Sequence, residues 1–191
     1  FGYMKIHENK LYTCNGGMWD TRKPASIQVL DIDKDEWTVL KNEGICEKYG
    51  IRYYDILTLD VDPRDSKHVM AGMAAGLFEF YDGELVKYHN YENSPISFVV
   101  GLEGHVNYQM VTSLLYSKTG DLYVANSASN KYALLKLDSN NNWSEIDKFN
   151  TIESTGNLKF MNIDSENKLW VYSDYWDHTA VYSFDLFTDN I

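Results

Sequence analysis

Two stretches decide the fold: VTSLLYSKTGDLYVANS, from Val111 to Ser127, and LKFMNIDSENKLWVYS, from Leu158 to Ser173. Each runs an apolar strand into a tight polar turn and leaves it through Leu-aromatic-Val-small. Working outward, the same grammar recurs in ILTLDVDPRDSKHVMAG, from Ile56, with two extra turn residues. It recurs again, shortened, in YMKIHENKLYTCNGG, from Tyr3. Aligning Leu11, Val69, Leu122 and Leu169 gives spacings of 58, 53 and 47 residues.

The second half of each unit repeats as well: SIQVLDIDKDEWTVLK, GLFEFYDGELVKYH, YALLKLDSNNNWSEIDK and AVYSFDLFTDNI. Each is a strand, a turn and a further apolar or aromatic segment. A unit is therefore four short strands in roughly fifty residues, the period of a β-propeller blade. The expectation is an all-β chain of about four four-stranded blades, near 1–41, 55–89, 111–148 and 158–191. Composition agrees: 15 Tyr, 8 Phe and 5 Trp favour pleated strands, and 12 Gly with many Asn favour the turns. A β-sandwich also has many short strands, but the fourfold two-hairpin unit favours the propeller. No stretch of a dozen residues keeps a helical period unbroken. The first unit begins at its innermost strand, and the fourth lacks a clear outermost strand after Asp185. Either 186–191 form a stunted strand in a four-bladed ring, or the chain is a segment of a larger propeller; the second reading is favoured.

SLLYSKTGDLYVAN and FMNIDSENKLWVYS resemble the two-component-regulator propeller repeat. The segment DPRDSKHVMAGMAAGLFEFYDGELVKYHNYENSPI, from Asp62 to Ile96, resembles Bacteroidetes members of that group more closely. These include sensor domains of hybrid two-component systems and PorZ-like propellers of the type IX secretion system. The resemblance implies a periplasmic or surface-exposed propeller with about seven blades per ring.

Charge and motifs narrow the chemistry. A net charge of −11 excludes binding to nucleic acid through phosphates, which needs clustered Lys and Arg, and opposes docking on anionic lipid. No apolar run is long enough to span a bilayer. Asp31, Asp33 and Asp35 form D-x-D-x-D, but Glu36 and Trp37 follow where a calcium loop needs glycine, so they read as a hairpin turn. SKTGDLYV and SENKLWVY look like the structural Asp-box turn of sialidases, yet the chain has few arginines (Arg22, Arg52, Arg64) to hold a carboxylate. His7, His68, His89, His105 and His178 are scattered without HxxxH spacing. His68 reads as a solvated turn residue, and AGMAAG as a tight blade turn. Neither a nucleophile elbow nor a Walker loop occurs. Cys14 and Cys46 read as two small buried hydrophobes, with a single disulfide as the alternative. No catalytic residue, metal or cofactor is expected.

Loop length supplies the functional signal. Turns such as SKTGD, SENK and YDGE, on one face, are short. The opposite face carries long, aromatic connections: loop 15–25, crossovers 42–54 and 90–110, and loop 173–178. Long connections in a compact domain are commonly functional, and Tyr and Trp suit binding surfaces. The candidate ligand-binding residues are Trp19, Arg22, Tyr53, Tyr54, His105, Tyr108, Tyr175, Trp176 and His178. For Tyr53 and Tyr54, packing in the core is an equal alternative. The expected function is non-catalytic: a periplasmic sensing region recognising carbohydrate or a cell-envelope component. The alternatives are a scaffolding propeller of a secretion surface complex with a protein partner and, less favoured, a polysaccharide lyase or hydrolase. Open blade edges would also permit self-association.

Overall fold

A computed structural model describes residues 2–16, 24–42, 44–129, 131–146, 158–175 and 178–186, with the backbone alone of Tyr175 and His178. The strands are β1 (Tyr3–His7), β2 (Lys10–Cys14), β3 (Ile27–Asp31), β4 (Glu36–Val39), β5 (Ile56–Val61), β6 (His68–Met73), β7 (Gly76–Tyr81) and β8 (Glu84–His89). They continue as β9 (Val111–Tyr116), β10 (Leu122–Asn126), β11 (Leu134–Leu137), β12 (Trp143–Glu145), β13 (Leu158–Ile163), β14 (Lys168–Tyr175) and β15 (His178–Asp185). They form four antiparallel meanders, β1–β4, β5–β8, β9–β12 and β13–β15. The four aligned residues occupy one structural place. Leu11, Val69, Leu122 and Leu169 are each the first or second residue of the second strand, opposite Ile6, Val61, Tyr116 and Ile163.

Strand alternation explains how the sheets stack, because successive side chains point to opposite faces. On β6, Val69, Ala71 and Met73 join a core with Tyr12, Cys14, Ile27 and Val29 of the first sheet. The intervening Met70 joins a different core, with Val111, Leu114, Leu122 and Val124 of the third. A third core sets Tyr123, Ala125 and Leu134 against Leu158, Leu169, Val171 and Phe184 of the fourth. The innermost strands β1, β5, β9 and β13 lie side by side in that order. The sheets therefore fan around a common axis, each face-packed on the next. This is the architecture of a β-propeller.

Glycine sets one of these junctions. A Cβ on Gly72 would stand 2.5 Å from Val111 Cγ1 and 2.8 Å from Val111 O. The second and third sheets approach closely there because this position has no side chain. Gly72 thus lies within β6, and the tight turn of AGMAAG is Ala74–Ala75 alone.

The middle sheets are buried on both faces, whereas the outer two are buried on one. Met4, Ile6, Trp37 and Val39 stand exposed on the free side of the first sheet. Phe160, Trp170 and Val181 do the same on the fourth. Two local features depart from the sequence reading. A single helical turn, α1 (Ile45–Tyr49), interrupts crossover 42–54 between Gly44 and Gly50, both left-handed. The cysteines are free and unlike: Cys14 is buried and Cys46, on α1, is exposed. Burial pushes the Cys14 thiol up to about 12.

Candidate functional site

The long connections form one continuous layer on the face where the innermost strands begin. Asn15 ties loop 15–25 together, donating to Pro24 O at 2.6 Å and accepting from Ser26 N at 2.8 Å. That loop meets the next crossover through an isolated bridge between Pro24 and Tyr54. The Arg52 amide donates to Asn107 Oδ1 at 2.6 Å, joining crossovers 42–54 and 90–110. Val100 N donates to Ala128 O at 2.8 Å, and Ser127 Oγ donates to Leu158 O at 2.9 Å. The layer thus runs from the first sheet to the fourth.

Two buried amides hold the longest crossover. Asn126, at the end of β10, is fully buried. Its Oδ1 accepts Ser97 N at 2.8 Å, and its Nδ2 donates to Ser97 O and Met110 O, each at 3.2 Å. Gln109, equally buried, accepts Tyr91 N at 2.7 Å and donates to Val106 O at 2.7 Å. A buried side-chain amide carries both donors and acceptors, so it can satisfy loop backbone that no strand pairs. The crossover is accordingly a fixed ledge.

Of the candidate residues, the structure brings Tyr54, His105 and Tyr108 to this layer. Tyr54 is 38% exposed. His105 is exposed, and its ring meets Tyr108 edge-on at 6.3 Å. Tyr53 is instead a core residue, its ring T-shaped on Phe78 at 5.3 Å. Burial raises its phenol well above the usual tyrosine range. The packing alternative holds for Tyr53 because it alternates inward where Tyr54 alternates outward. Trp19, Arg22 and Trp176 lie outside the described residues, as do the side chains of Tyr175 and His178. The expected long loop 173–178 is corrected: Ser173 to Tyr175 belong to β14, and Tyr175 pairs with His178 of β15. Sequence reasoning gave no role to Val100, 64% exposed on the ledge, nor to the pinning amides. An Asn directly after the apolar run LYVA was their one sequence signal.

Beside this layer the innermost strands leave an opening. A cavity of about 170 Å³ is lined by Gly2, Tyr3, Leu57, Thr112, Lys159 and Phe160, among others, from all four innermost strands. Gly2 and Gly16 shape its wall: a Cβ on Gly2 would stand 2.6 Å from Gly16 O. Lys159 is paired with Asp174.

Comparison with known proteins places the architecture. No protein-family model and no curated protein matches the chain. Solved structures do match. PorZ, an essential bacterial surface component of the type IX secretion system of Porphyromonas gingivalis, aligns over 99% of the chain with a TM-score of 0.79 and 20% identity. The GH74 xyloglucanase of Xanthomonas campestris aligns over 93%, with a TM-score of 0.60 and 14% identity. The extracellular domain of a protein described as a hybrid two component system, from B. thetaiotaomicron, aligns over the whole chain at 0.56 and 12%. The fold is shared with all three. The chain spans 26%, 27% and 25% of their respective lengths, about a quarter of each. These include the propeller types that the repeat resembles.

The other polar clusters serve the frame. His68, read as a solvated turn residue, is half-buried at the start of β6, where its Nε2 meets Glu79 Oε1 at 3.0 Å. His89 Nε2 meets the other oxygen of Glu79 at 2.9 Å. These two imidazoles, His68 first, hold the Glu79 carboxyl down at about 2. The Glu79 bond in turn raises His68 above its ordinary value. Asp31 accepts the Lys34 amide as a hairpin turn does, and Asp164 accepts the amides of Glu166 and Lys168. Among the described residues, no group of three or more His, Cys, Asp or Glu is arranged to hold a metal ion.

Proposed function

We propose that the chain is part of a non-catalytic recognition propeller at the bacterial surface or in the periplasm, and that its long-loop face is the contact surface for a partner protein. The observation that carries this reading is the pinned ledge. The crossover 90–110 holds exposed Tyr91, Val100 and His105 in place through buried Asn126 and Gln109. A broad, preorganised ledge bearing ring side chains costs little ordering entropy on docking, which favours a macromolecule over a small ligand. The likeness to a secretion-system surface component supports the same reading. The free apolar sides of the first and fourth sheets support membership of a larger ring. No helix among the described residues is long and apolar enough to cross a membrane.

Sensing of a carbohydrate is the second reading. It is favoured by the likeness to an extracellular domain of a two component system and by the ring pair His105–Tyr108 beside polar loop groups. The two separate by experiment. Cross-linking from a photoreactive residue at position 100 or 105 of the full-length protein should capture one specific envelope protein, and Val100→Asp should abolish capture. Capture of nothing, together with stabilisation by a glycan, would replace the first reading by the second.

A further inference from the structure

Asn15 is followed by Gly16, the one Asn-Gly pair in the chain. The pair stands where β2 leaves into loop 15–25, and both residues are half-buried. In such a pair the side-chain carbonyl carbon, Cγ, lies within ring-closing reach of the next amide nitrogen, and glycine has no Cβ to hinder the approach. Substitution at 16 cannot relieve the pair, because a Cβ there would overlap Ile56 O and stand 2.6 Å from Ile56 N. The close pass of β5 thus requires the same glycine that makes Asn15 reactive.

The fold holds the amide away from this attack. Nδ2 donates to Pro24 O and Oδ1 accepts Ser26 N, both across the loop, while the main-chain carbonyl of Asn15 accepts Ile56 N at 3.0 Å. Turning Cγ onto Gly16 N breaks both side-chain bonds. Reaction therefore proceeds from the minor state in which the loop tie is open, at a rate set by how often it opens.

The chemistry needs no co-reactant but water. Gly16 N loses its proton to solvent base and attacks Cγ. The N–Cγ bond forms, the Cγ–Nδ2 bond breaks, and Nδ2 takes up a proton and leaves as ammonia. Water then opens the resulting succinimide: hydroxyl adds to one ring carbonyl and a proton returns to the ring nitrogen. Opening at Cγ leaves aspartate. Opening at the main-chain carbonyl leaves isoaspartate, whose chain runs through the former side chain. Either product is a carboxylate, with no N–H to give Pro24 O. In isoaspartate the carbonyl that accepts Ile56 N is also displaced from the main chain. Pro24 carries the bridge to Tyr54, and Ala25 N donates to Tyr53 O at 3.2 Å, so the lost tie loosens the contact between the first two connections of the layer.

We propose that Asn15 is a deamidation site whose conversion irreversibly unties loop 15–25 from the long-loop layer. The site does not depend on what that layer binds. The test ages the full-length protein in mildly alkaline buffer and follows each asparagine by peptide mass spectrometry, with aspartate and isoaspartate separated by chromatography. Acid should accumulate at Asn15 at least about tenfold faster than at any other asparagine, and faster as pH rises. Urea should accelerate it by a further tenfold or so, because the tie is then always open. In the converted protein the amides of Ala25 and Ser26 should exchange hydrogen faster while β10 is unchanged. Asn15→Asp should reproduce that exchange without ageing, and Asn15→Gln, which would have to close a larger ring, should suppress the conversion. No acid at position 15 once the urea-treated chain has converted, equal conversion at the other asparagines, or unchanged exchange at Ala25 and Ser26 after conversion would overturn the proposal. If Asn15→Asp unfolds, the aged natural chain decides.

Discussion

Lys5 and Asp60 are joined across two sheets: Lys5 Nζ in β1 lies 2.9 Å from Asp60 Oδ1 in β5, and the Asp60 side chain is almost fully buried. The second oxygen of Asp60 accepts the Tyr116 amide at the end of β9, at 2.8 Å. One carboxylate thus ties three consecutive innermost strands together beside the axis. Asp60→Ala leaves an unpaired ammonium and an orphaned amide, and should cost about 3 kcal/mol in urea unfolding. Lys5→Met should also destabilise, since it leaves the buried carboxylate uncompensated.

The Glu79 network makes stability depend on pH in two opposite ways. Glu79 is depressed from 4.5 to about 2, so its contribution is complete above 4.5 and is lost as pH falls towards 2. His68 is raised above 6.5, so its contribution is complete below 6.5 and is lost as pH rises through its folded value. The network is therefore strongest between about 4.5 and 6.5. Glu79→Gln should flatten both limbs of a stability–pH curve measured by chemical denaturation. Unchanged limbs would remove the network from the account.

The second and third sheets approach closely at Gly72. Gly72→Ala should force the second and third sheets apart and cost about 1–3 kcal/mol, the range for overpacked cores. The same change at Gly83, where a Cβ would meet nothing within 4 Å, should act through backbone strain alone, since φ there is 85°. The Gly72 variant alone should show exchange-broadened Val111 methyl signals.

Asn126→Ala removes the side-chain hydrogen bonds to Ser97 and Met110 from a buried site and should cost about 2–3 kcal/mol. Amide hydrogen exchange should speed up across 97–110 well before the strands exchange. Any partner captured at the ledge should then dissociate faster, because docking would have to order the crossover anew.

The outer faces of the end sheets should make the 191-residue chain sticky by itself. Ile6→Glu and Val181→Glu, which alter only exposed positions, should lower concentration-dependent association in sedimentation without lowering the melting temperature.

Sheet number, strand order and the places of Leu11, Val69, Leu122 and Leu169 were legible because they rest on local rules. Alternation sets which side chains share a face, and Asp, Asn and Gly set where the chain turns. Tyr53 and Tyr54 show where such rules stop. Both are tyrosines in one crossover, yet one is a core ring and the other is exposed, and only the neighbouring Phe78 settles which. His68 failed for a related reason: position in a turn suggested water, while Glu79, eleven residues on, pairs opposite Met70 and carries its carboxylate to the imidazole. Loop 173–178 was misread because polar Ser and Asp can continue a strand once a partner strand exists.

The amino-acid sequence by itself determined a repeating array of small antiparallel sheets, since turn chemistry and strand period act within a dozen residues of one another. Only the tertiary structure decided which polar groups meet across sheets: Lys5 with Asp60, Arg64 on Gly120, Asn126 under the crossover. Those encounters depend on how distant segments are registered, and contacts between residues dozens of positions apart leave no periodic trace in the chain.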